Sequence, residues 1–337
     1  MKRLLITLLK TALSVAILGY LVWNSTRGAK NGNVFAYLRD QPKDWALLAA
    51  AWVSCSTAVL LTFVRWWYLV RALNIPCRFA DAIRISFWGY LFNLAPLGIV
   101  AGDLVKAVML DREHHGHRSR AVASVLVDRI LGLYVLFIVA SAAILATGFW
   151  KINDPLIWWI CKLTFAVTVG STLGLAALLG PDYSDGKIIS TLGKIPRLGP
   201  PLESLVIAIR MYKDKPWVLF CSSVATVGVH SCFAIGCWLI ACGLPGKHLS
   251  IGDHFVVTPL ASAMGVIPLA MGPLEYVLDL LYAHVSVARG VAIIKGQGFV
   301  VALAYRLVTV LTAVLGLPYY FRNRRELSEA IHEAEQQ

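Results

Sequence analysis

The chain has 337 residues and a net charge of +12; 58% of its residues are hydrophobic and 15% are charged. A soluble chain would carry roughly a quarter of its residues as charged side chains. This composition therefore excludes an ordinary soluble protein and leaves little room for a separate enzymatic domain. The basic residues lie in short loops between apolar runs, which favours anionic lipid headgroups over nucleic acid as the partner.

Six apolar runs of about twenty residues or more each predict a transmembrane helix, so we expect an all-α polytopic membrane protein. The first run lacks the small-residue cleavage site of a signal peptide and is predicted to be retained. We expect a single transmembrane domain over residues 1–325 and a short polar tail over 326–337. The predicted spans are Leu4–Trp23, Trp45–Val70, Val122–Phe149, Leu156–Gly180, Trp217–Cys242 and Phe299–Phe321.

Two further apolar segments, Phe79–Leu110 and Ile251–Val287, are interrupted by proline and glycine. Broken backbone at membrane depth survives only where it is buried in protein or lines a cavity. Each segment is therefore predicted to be a re-entrant helical hairpin. A pair of interrupted segments in corresponding positions is typical of a transporter's binding site. The residues that interrupt the two segments are Pro96, Gly98, Gly102, Pro268, Gly272 and Pro273.

The two hairpins belong to halves of similar organisation, at about residues 45–149 and 217–321. In each half a span leads to a hairpin with a carboxylate, Asp103 or Glu275, and then to a helix with one arginine, Arg129 or Arg306. The distribution of basic residues among the loops predicts that both termini are cytoplasmic. The hairpins then enter from opposite leaflets, as expected for an inverted repeat in a cytoplasmic (inner) membrane.

The two arginines are the leading candidates for a binding role. A charge inside the bilayer costs at least about 2.5 kcal/mol, so it normally faces a cavity or the bundle interior. The structural alternative for Arg129 is an ion pair with its neighbour Asp128, or a side chain that reaches the interface. For Arg306 the expected partners are Glu275, Asp279 or an anionic ligand.

The helices that start near Gly102 and Gly272 are expected to point their positive N-terminal ends at a phosphate group. Glu275 would also cap its own helix by accepting backbone amides. Asp103 has the same two roles, with Lys106 one turn later on the same face. Asn93 is predicted to hydrogen-bond either the headgroup or the broken backbone.

The other polar residues have simpler interpretations. Arg65 is expected to reach the membrane interface beside two tryptophans, and Ser204–Lys215 is expected to form a cytoplasmic surface helix. The histidines His114, His115 and His117 are expected to lie in a solvated loop. The sequence contains no catalytic motif, and we expect no cofactor and no metal.

The motifs of the two halves, taken together, resemble the membrane region of lysylphosphatidylglycerol synthase/flippase proteins, over about residues 8–322. These motifs are Phe92-Asn93-x2-Pro96-x-Gly98-x3-Gly102-Asp103-x2-Lys106, Ser124-Val-Leu-Val-Asp128-Arg129-x2-Gly132-Leu133, Pro268-x3-Gly272-x2-Glu275 and Tyr305-Arg306.

The resemblance implies a lipid flippase or scramblase similar to the stand-alone members without a synthase domain. Its cargo would be an anionic or aminoacylated phospholipid or a polyprenyl-phosphate lipid. The family often has Pro-Gly-Gly before the acidic residue, whereas larger side chains stand here, which argues against simply transferring the lysyl-lipid specificity. The resemblance and the residue patterns together give the substrate-binding set Asn93, Asp103, Lys106, Asp128, Arg129, Glu275, Tyr305 and Arg306.

Two alternatives belong to other functional classes. The first is an integral-membrane transferase with a lipid-phosphate donor, for which Asp128 or Glu275 would be the acid or base. The second is a non-transporting partner of a separate lipid synthase. Besides membrane lipids, the expected partners are such a synthase or further copies of this chain.

Overall fold

The computed structural model describes residues 2–26, 34–93, 99–114, 116–180, 199–267, 269 and 271–322. These residues contain no strand, which confirms the all-α fold class. The helices are α1 (Lys2–Thr26), α2 (Val34–Asp40), α3 (Trp45–Ala72), α4 (Phe79–Asn93), α5 (Ile99–Glu113), α6 (Arg118–Ala146), α7 (Pro155–Leu179), α8 (Gly199–Arg210), α9 (Pro216–Gly243), α10 (Ile251–Ala263), α11 (Pro273–Ala288) and α12 (Gln297–Val314).

Within the described residues, six helices are long and apolar enough to cross a membrane, so the protein is multi-pass, as predicted. They coincide with the predicted spans to within a few residues. Their ends carry ordinary helix signals: Asp44 and Asp154 cap α3 and α7 with a carboxylate oxygen, and Pro155 and Pro216 occupy first turns. The six spans are Leu8–Thr26, Trp45–Ala72, Arg118–Ala146, Pro155–Leu179, Pro216–Gly243 and Gln297–Arg322.

Helices α3 and α9 form an antiparallel pair at the centre of the molecule. At one end the backbone amide of Asp44 donates to the carbonyl of Gly243 at 3.0 Å. At the other end the Lys215 amine donates to the carbonyl of Ala72. The second half of the chain therefore starts its central helix at the end of the molecule where the first half finishes its own.

The helices that close the two halves, α6 and α12, are reversed in the same way. Arg120 at the start of α6 donates to the carbonyl of Leu73, just after α3. Gln297 at the start of α12 donates to the carbonyl of Lys247, just after α9. In chain order, each half thus consists of a central helix, a helical pair and a closing helix. The two halves are inverted with respect to each other.

The interrupted segments form two helical pairs, α4–α5 and α10–α11. Their helices have 13 to 16 residues, or about 20–24 Å at 1.5 Å per residue, too short to cross a hydrocarbon core of about 30 Å. Because α4 follows α3 and α10 follows α9, the pairs start from opposite ends of the molecule. Their re-entry into a membrane stays a prediction, and Pro96, Gly98 and Pro268 lie outside the described residues.

One predicted boundary is wrong. We expected the second helix of the first hairpin to start near Gly102, but α5 already begins at Ile99. Gly102 lies inside the helix, where its missing side chain lets α4 and α5 cross: a Cβ atom there would overlap the carbonyl oxygen of Gly89 and the side chain of Asn93. The glycine is therefore needed for close helix packing and does not start the helix.

The two largest hydrophobic clusters of the described residues each surround one helical pair. The first includes α4, α5 and the adjoining ends of α3 and α6, with Trp66, Trp88 and Met109 fully buried. It also buries one face of α8, including Ala208 and Ile209. We predicted a surface helix over Ser204–Lys215, whereas the helix spans Gly199–Arg210. The second surrounds α10 and α11 and includes the adjoining ends of α9 and α12. In contrast, α1 and α7 are hardly buried.

Candidate functional site

A cavity of about 320 Å³ lies between the two clusters. Its walls come from the middle of α3, α6, α9 and α12 and from the facing ends of both helical pairs. The pairs contribute Asn93 on one side and Met264, Gly265 and Leu269 on the other. The interrupted segments of the two halves therefore meet at one site, as their pattern predicts.

The first arginine in this wall is Arg129 of α6. Its Nε and Nη2 atoms donate to the two carboxylate oxygens of Asp103 at 2.6 and 2.7 Å. This bidentate geometry is the strongest form of arginine–carboxylate contact. The structural alternative for Arg129, a pair with its neighbour Asp128, is wrong, because the side chains of Asp128 and Arg129 contact different partners.

The second arginine, Arg306 of α12, is paired with Glu275 of α11. Its Nε and Nη2 atoms lie 3.0 and 2.9 Å from Oε1 of Glu275. The other oxygen accepts the amide of Gly272 at 2.7 Å, so the predicted capping role is confirmed. Gly272 has φ = 113°, a backbone conformation that favours glycine. The two arginines thus have equivalent partners in the two halves, each on the second helix of a pair.

A third arginine in the wall, Arg65 of α3, was not among the predicted binding residues. It is only 6% exposed; its Nε donates to Asp128 at 2.8 Å and its Nη1 to Thr226 at 2.9 Å. The prediction that it reaches the membrane interface is wrong. The neighbouring Trp66, taken as an interface marker, is fully buried. The sequence did contain a signal for this position. Arg71 lies in the last turn of α3, and Arg65 lies two turns before the end of that helix, further from the interface.

The remaining candidates divide between the cavity wall and its surroundings. Tyr305 and Asn93 line the cavity, and no described residue hydrogen-bonds the buried Oδ1 atom of Asn93. His230, which no sequence pattern singled out, also lines it and contacts the carbonyl of Gly132 at 3.0 Å. Lys106 lies against α3, with its amine 5.0 Å from the centre of the Trp66 ring.

The other predicted partner of Arg306, Asp279, instead accepts the amide of Phe299. Two further ion pairs lie away from the cavity and close the open ends of the helical pairs. Arg84 of α4 lies 2.6 Å from Glu113 of α5. Arg289, just after α11, lies 3.0 Å from the buried carboxylate of Asp253 in α10.

The cavity can hold a polar anionic group. Each of its three arginines is held by a carboxylate, yet each keeps one terminal nitrogen that donates to none of the described residues: Nη2 of Arg65, and Nη1 of Arg129 and Arg306. Guanidinium groups are suited to phosphate recognition. Among the described residues, no three side chains of the metal-binding types come together.

The comparison with protein families gives one match that spans nearly the whole chain. The family model described as "Lysylphosphatidylglycerol synthase TM region" matches residues 8–316. This interval includes both helical pairs and all three cavity arginines. No curated protein matches the chain.

Proposed function

Because the chain belongs to the family of lysylphosphatidylglycerol synthase transmembrane regions, we propose that it moves a phosphate-containing lipid between the leaflets of the membrane. The observation that carries the proposal is the central cavity, which both helical pairs line and into which three ion-paired arginines project. Ionisable residues at membrane depth mark substrate pathways in transport proteins.

The size of the cavity fits a lipid headgroup better than a whole lipid. Its volume of about 320 Å³ is at the lower end of small-molecule sites. The headgroup would cross through the cavity while the acyl or isoprenoid chains stay in the hydrocarbon core. The unused nitrogen atoms of Arg65, Arg129 and Arg306 would then donate to the phosphate oxygens.

The inverted halves give the proposal its mechanism. Two helical pairs that enter from opposite ends of the molecule can open the cavity to one leaflet or the other by small movements of their inner ends. Arg129 and Arg306 would exchange their carboxylate partners for the phosphate as it passes. We propose a transporter rather than an enzyme, driven by an ion gradient or by the lipid's own gradient.

The decisive experiment measures lipid translocation in proteoliposomes. Purified protein is reconstituted with tail-labelled phosphatidylglycerol, and exposure of the label is followed with a membrane-impermeant quencher. The variant Arg129→Gln/Arg306→Gln should reduce the rate to that of protein-free vesicles. The matched control is Arg289→Gln, which also breaks an ion pair with a buried carboxylate but does not touch the cavity.

Three results would contradict the proposal. The first is an unchanged rate in the folded double variant, as judged by size-exclusion profile. The second is no translocation by the wild type of phosphatidylglycerol, its lysyl ester or a polyprenyl-phosphate lipid. The third is transfer of an aminoacyl or glycosyl group by the purified protein, which would establish the transferase alternative.

A further inference from the structure

Lys106 is a basic side chain with an unusual environment. It is 7% exposed, and its stem crosses α4 at Gly89. Its amine lies over the rings of Trp66 and Phe63, at 5.0 and 6.0 Å from their centres. No hydrogen bond or ion pair joins the amine to any residue in the described part of the chain. Cation–π contacts alone compensate the desolvation of an ammonium group only in part.

The charge of Lys106 lies beside the ion pairs of the cavity wall, since its amine is over the ring of Trp66, next in the sequence to Arg65, and Asp103, which holds Arg129, stands one turn earlier on α5. With these ion pairs Lys106 forms a group of four cations and three carboxylates, which leaves one positive charge without a counterpart. The members of the group are Arg65, Lys106, Arg129, Arg306, Asp103, Asp128 and Glu275.

We propose that the lipid headgroup bound here carries a net negative charge, as a single phosphodiester does, and that Lys106 sets this preference. The inference rests on the proposed function and narrows its cargo. A buried ammonium without an anionic partner costs free energy, so an arriving anion stabilises the charged form of Lys106. A lysyl ester of phosphatidylglycerol carries two ammonium groups and one phosphate, and its net positive charge would add to the excess.

The nearby tyrosine and amide groups carry no charge at neutral pH, and His230, the other titratable side chain of the wall, can only add positive charge to the excess. Phosphatidylglycerol and polyprenyl-phosphate sugars share the selected chemistry, a phosphodiester of one negative charge. Lys106 acts as a specificity residue through the electrostatic field of the cavity and need not contact the lipid. Its replacement should therefore change selection between lipids more than it changes the transport of one lipid.

The test compares tail-labelled phosphatidylglycerol with its lysyl ester in the same vesicles. The wild type should move the anionic lipid at least about tenfold faster than the lysyl ester. Lys106→Met should reduce that ratio to about threefold or less, whereas Lys106→Arg should keep it. The control is Lys162→Met, which removes an amine that also lies over a tryptophan ring, 3.5 Å from the centre of Trp158, on the exposed face of α7.

A binding measurement separates this inference from the proposed function. Dihexanoyl phosphatidylglycerol, its lysyl ester and inorganic phosphate are compared for the rise in melting temperature that each gives at equal concentration. Dihexanoyl phosphatidylglycerol should raise the melting temperature of the wild type more than its lysyl ester or inorganic phosphate does, and the difference between the two lipids should shrink in Lys106→Met. This assay decides the charge preference even if no lipid is transported.

Two outcomes would overturn the inference while transport itself stands. One is a wild type that moves or binds the lysyl ester as well as the anionic lipid. The other is a lipid ratio that Lys106→Met leaves unchanged. Equal stabilisation by inorganic phosphate would assign the excess charge to a soluble anion and would overturn the choice of a lipid headgroup. If Lys106→Met does not fold, the lipid ratios of the wild type and of Lys106→Arg still decide whether the charge preference exists.

Discussion

Arg306 directs two nitrogen atoms at the same oxygen of Glu275, at 3.0 and 2.9 Å, while the second oxygen of that fully buried carboxylate holds the amide of Gly272. One side chain thus both caps α11 and neutralises an arginine of the cavity wall. A phosphate that attracts Arg306 therefore acts directly on the start of α11. In the proposed function, this contact would link headgroup binding to the position of the second helical pair.

Breaking that contact from one side should destabilise the protein. Arg306→Gln leaves the carboxylate of Glu275 buried without its cation, and we expect the melting temperature to fall by roughly 5–10 °C. Arg306→Gln/Glu275→Gln should recover most of this loss but not the transport. Arg39→Gln is the control, since its ion pair with Asp40 is exposed. Equal melting temperatures for Arg306→Gln and Arg39→Gln would contradict the prediction.

Arg129→Lys tests the geometry of the other ion pair. Lysine keeps the positive charge but cannot bind both oxygens of Asp103 in the bidentate geometry. It also offers fewer hydrogen-bond donors to a phosphate. We expect a folded protein whose lipid translocation is reduced about tenfold. Proteoliposome rates at equal protein density measure the effect. A wild-type rate would show that charge alone is sufficient at this position.

Gly102→Ala should disturb the first helical pair. The added methyl group would overlap the carbonyl oxygen of Gly89 and the side chain of Asn93, so α4 and α5 must move apart. We expect a lower melting temperature and loss of transport. Gly170→Ala in α7 is the control, because nothing lies within 4 Å of the atom it adds. Since alanine favours a helix more than glycine does, Gly170→Ala should keep or raise the melting temperature. A wild-type melting temperature and transport rate in Gly102→Ala would contradict the prediction.

The orientation of the spans can be tested by labelling single cysteines at the two ends of the molecule. Asp214 lies at the end of the molecule where α3 finishes, and Lys151 lies at the other end, just after α6. Single cysteines at these positions, in a protein without its natural cysteines, should react differently with an impermeant maleimide. Intact cells should label only Lys151→Cys, and opened cells should label both. Labelling of Asp214→Cys in intact cells would reverse the predicted orientation.

Acid should weaken the contact between α11 and the start of α7. The hydrogen bond with His284, and secondly the amide of Ile157, lower the pKa of Asp154 below its ordinary 3.8. The stability that this carboxylate contributes is therefore present above pH 3.8 and is lost as the pH falls through its lowered value. Asp154→Asn keeps the capping oxygen but cannot ionise. Its melting temperature should fall less in acid than that of the wild type.

The sequence alone predicted the spans, the two helical pairs and the inverted order. These features follow from long apolar runs and from proline and glycine at corresponding places. The capping role of Glu275 was predictable because its position relative to Gly272 and Pro273 is local. The pairing of Arg306 with Glu275 was one of three alternatives, and distances between helices were needed to choose.

The partners of Arg65 and Arg129 depend on tertiary packing. Asp128 and Arg129 are adjacent in the sequence, yet a helix turns successive side chains by about 100°, so they face different neighbours. Arg65 was misassigned because buried and interfacial tryptophans look alike in a sequence. The environment of Lys106 depends on how α5 crosses α3 and α4, which no local pattern reveals.

Helix α7 packs against little of the protein although it is 25 residues long. Its contribution is to make the number of crossings between the starts of the two halves odd. Among the described helices that can span a membrane, α3, α6 and α7 come between the start of α3 and the start of α9. Three crossings, an odd number, place the start of α9 at the opposite end of the molecule from the start of α3. Without α7, α3 and α9 would start at the same end of the molecule, and the two helical pairs would start from one end as well. An apolar helix with few contacts to the rest of the protein thereby sets the inverted arrangement of the two halves.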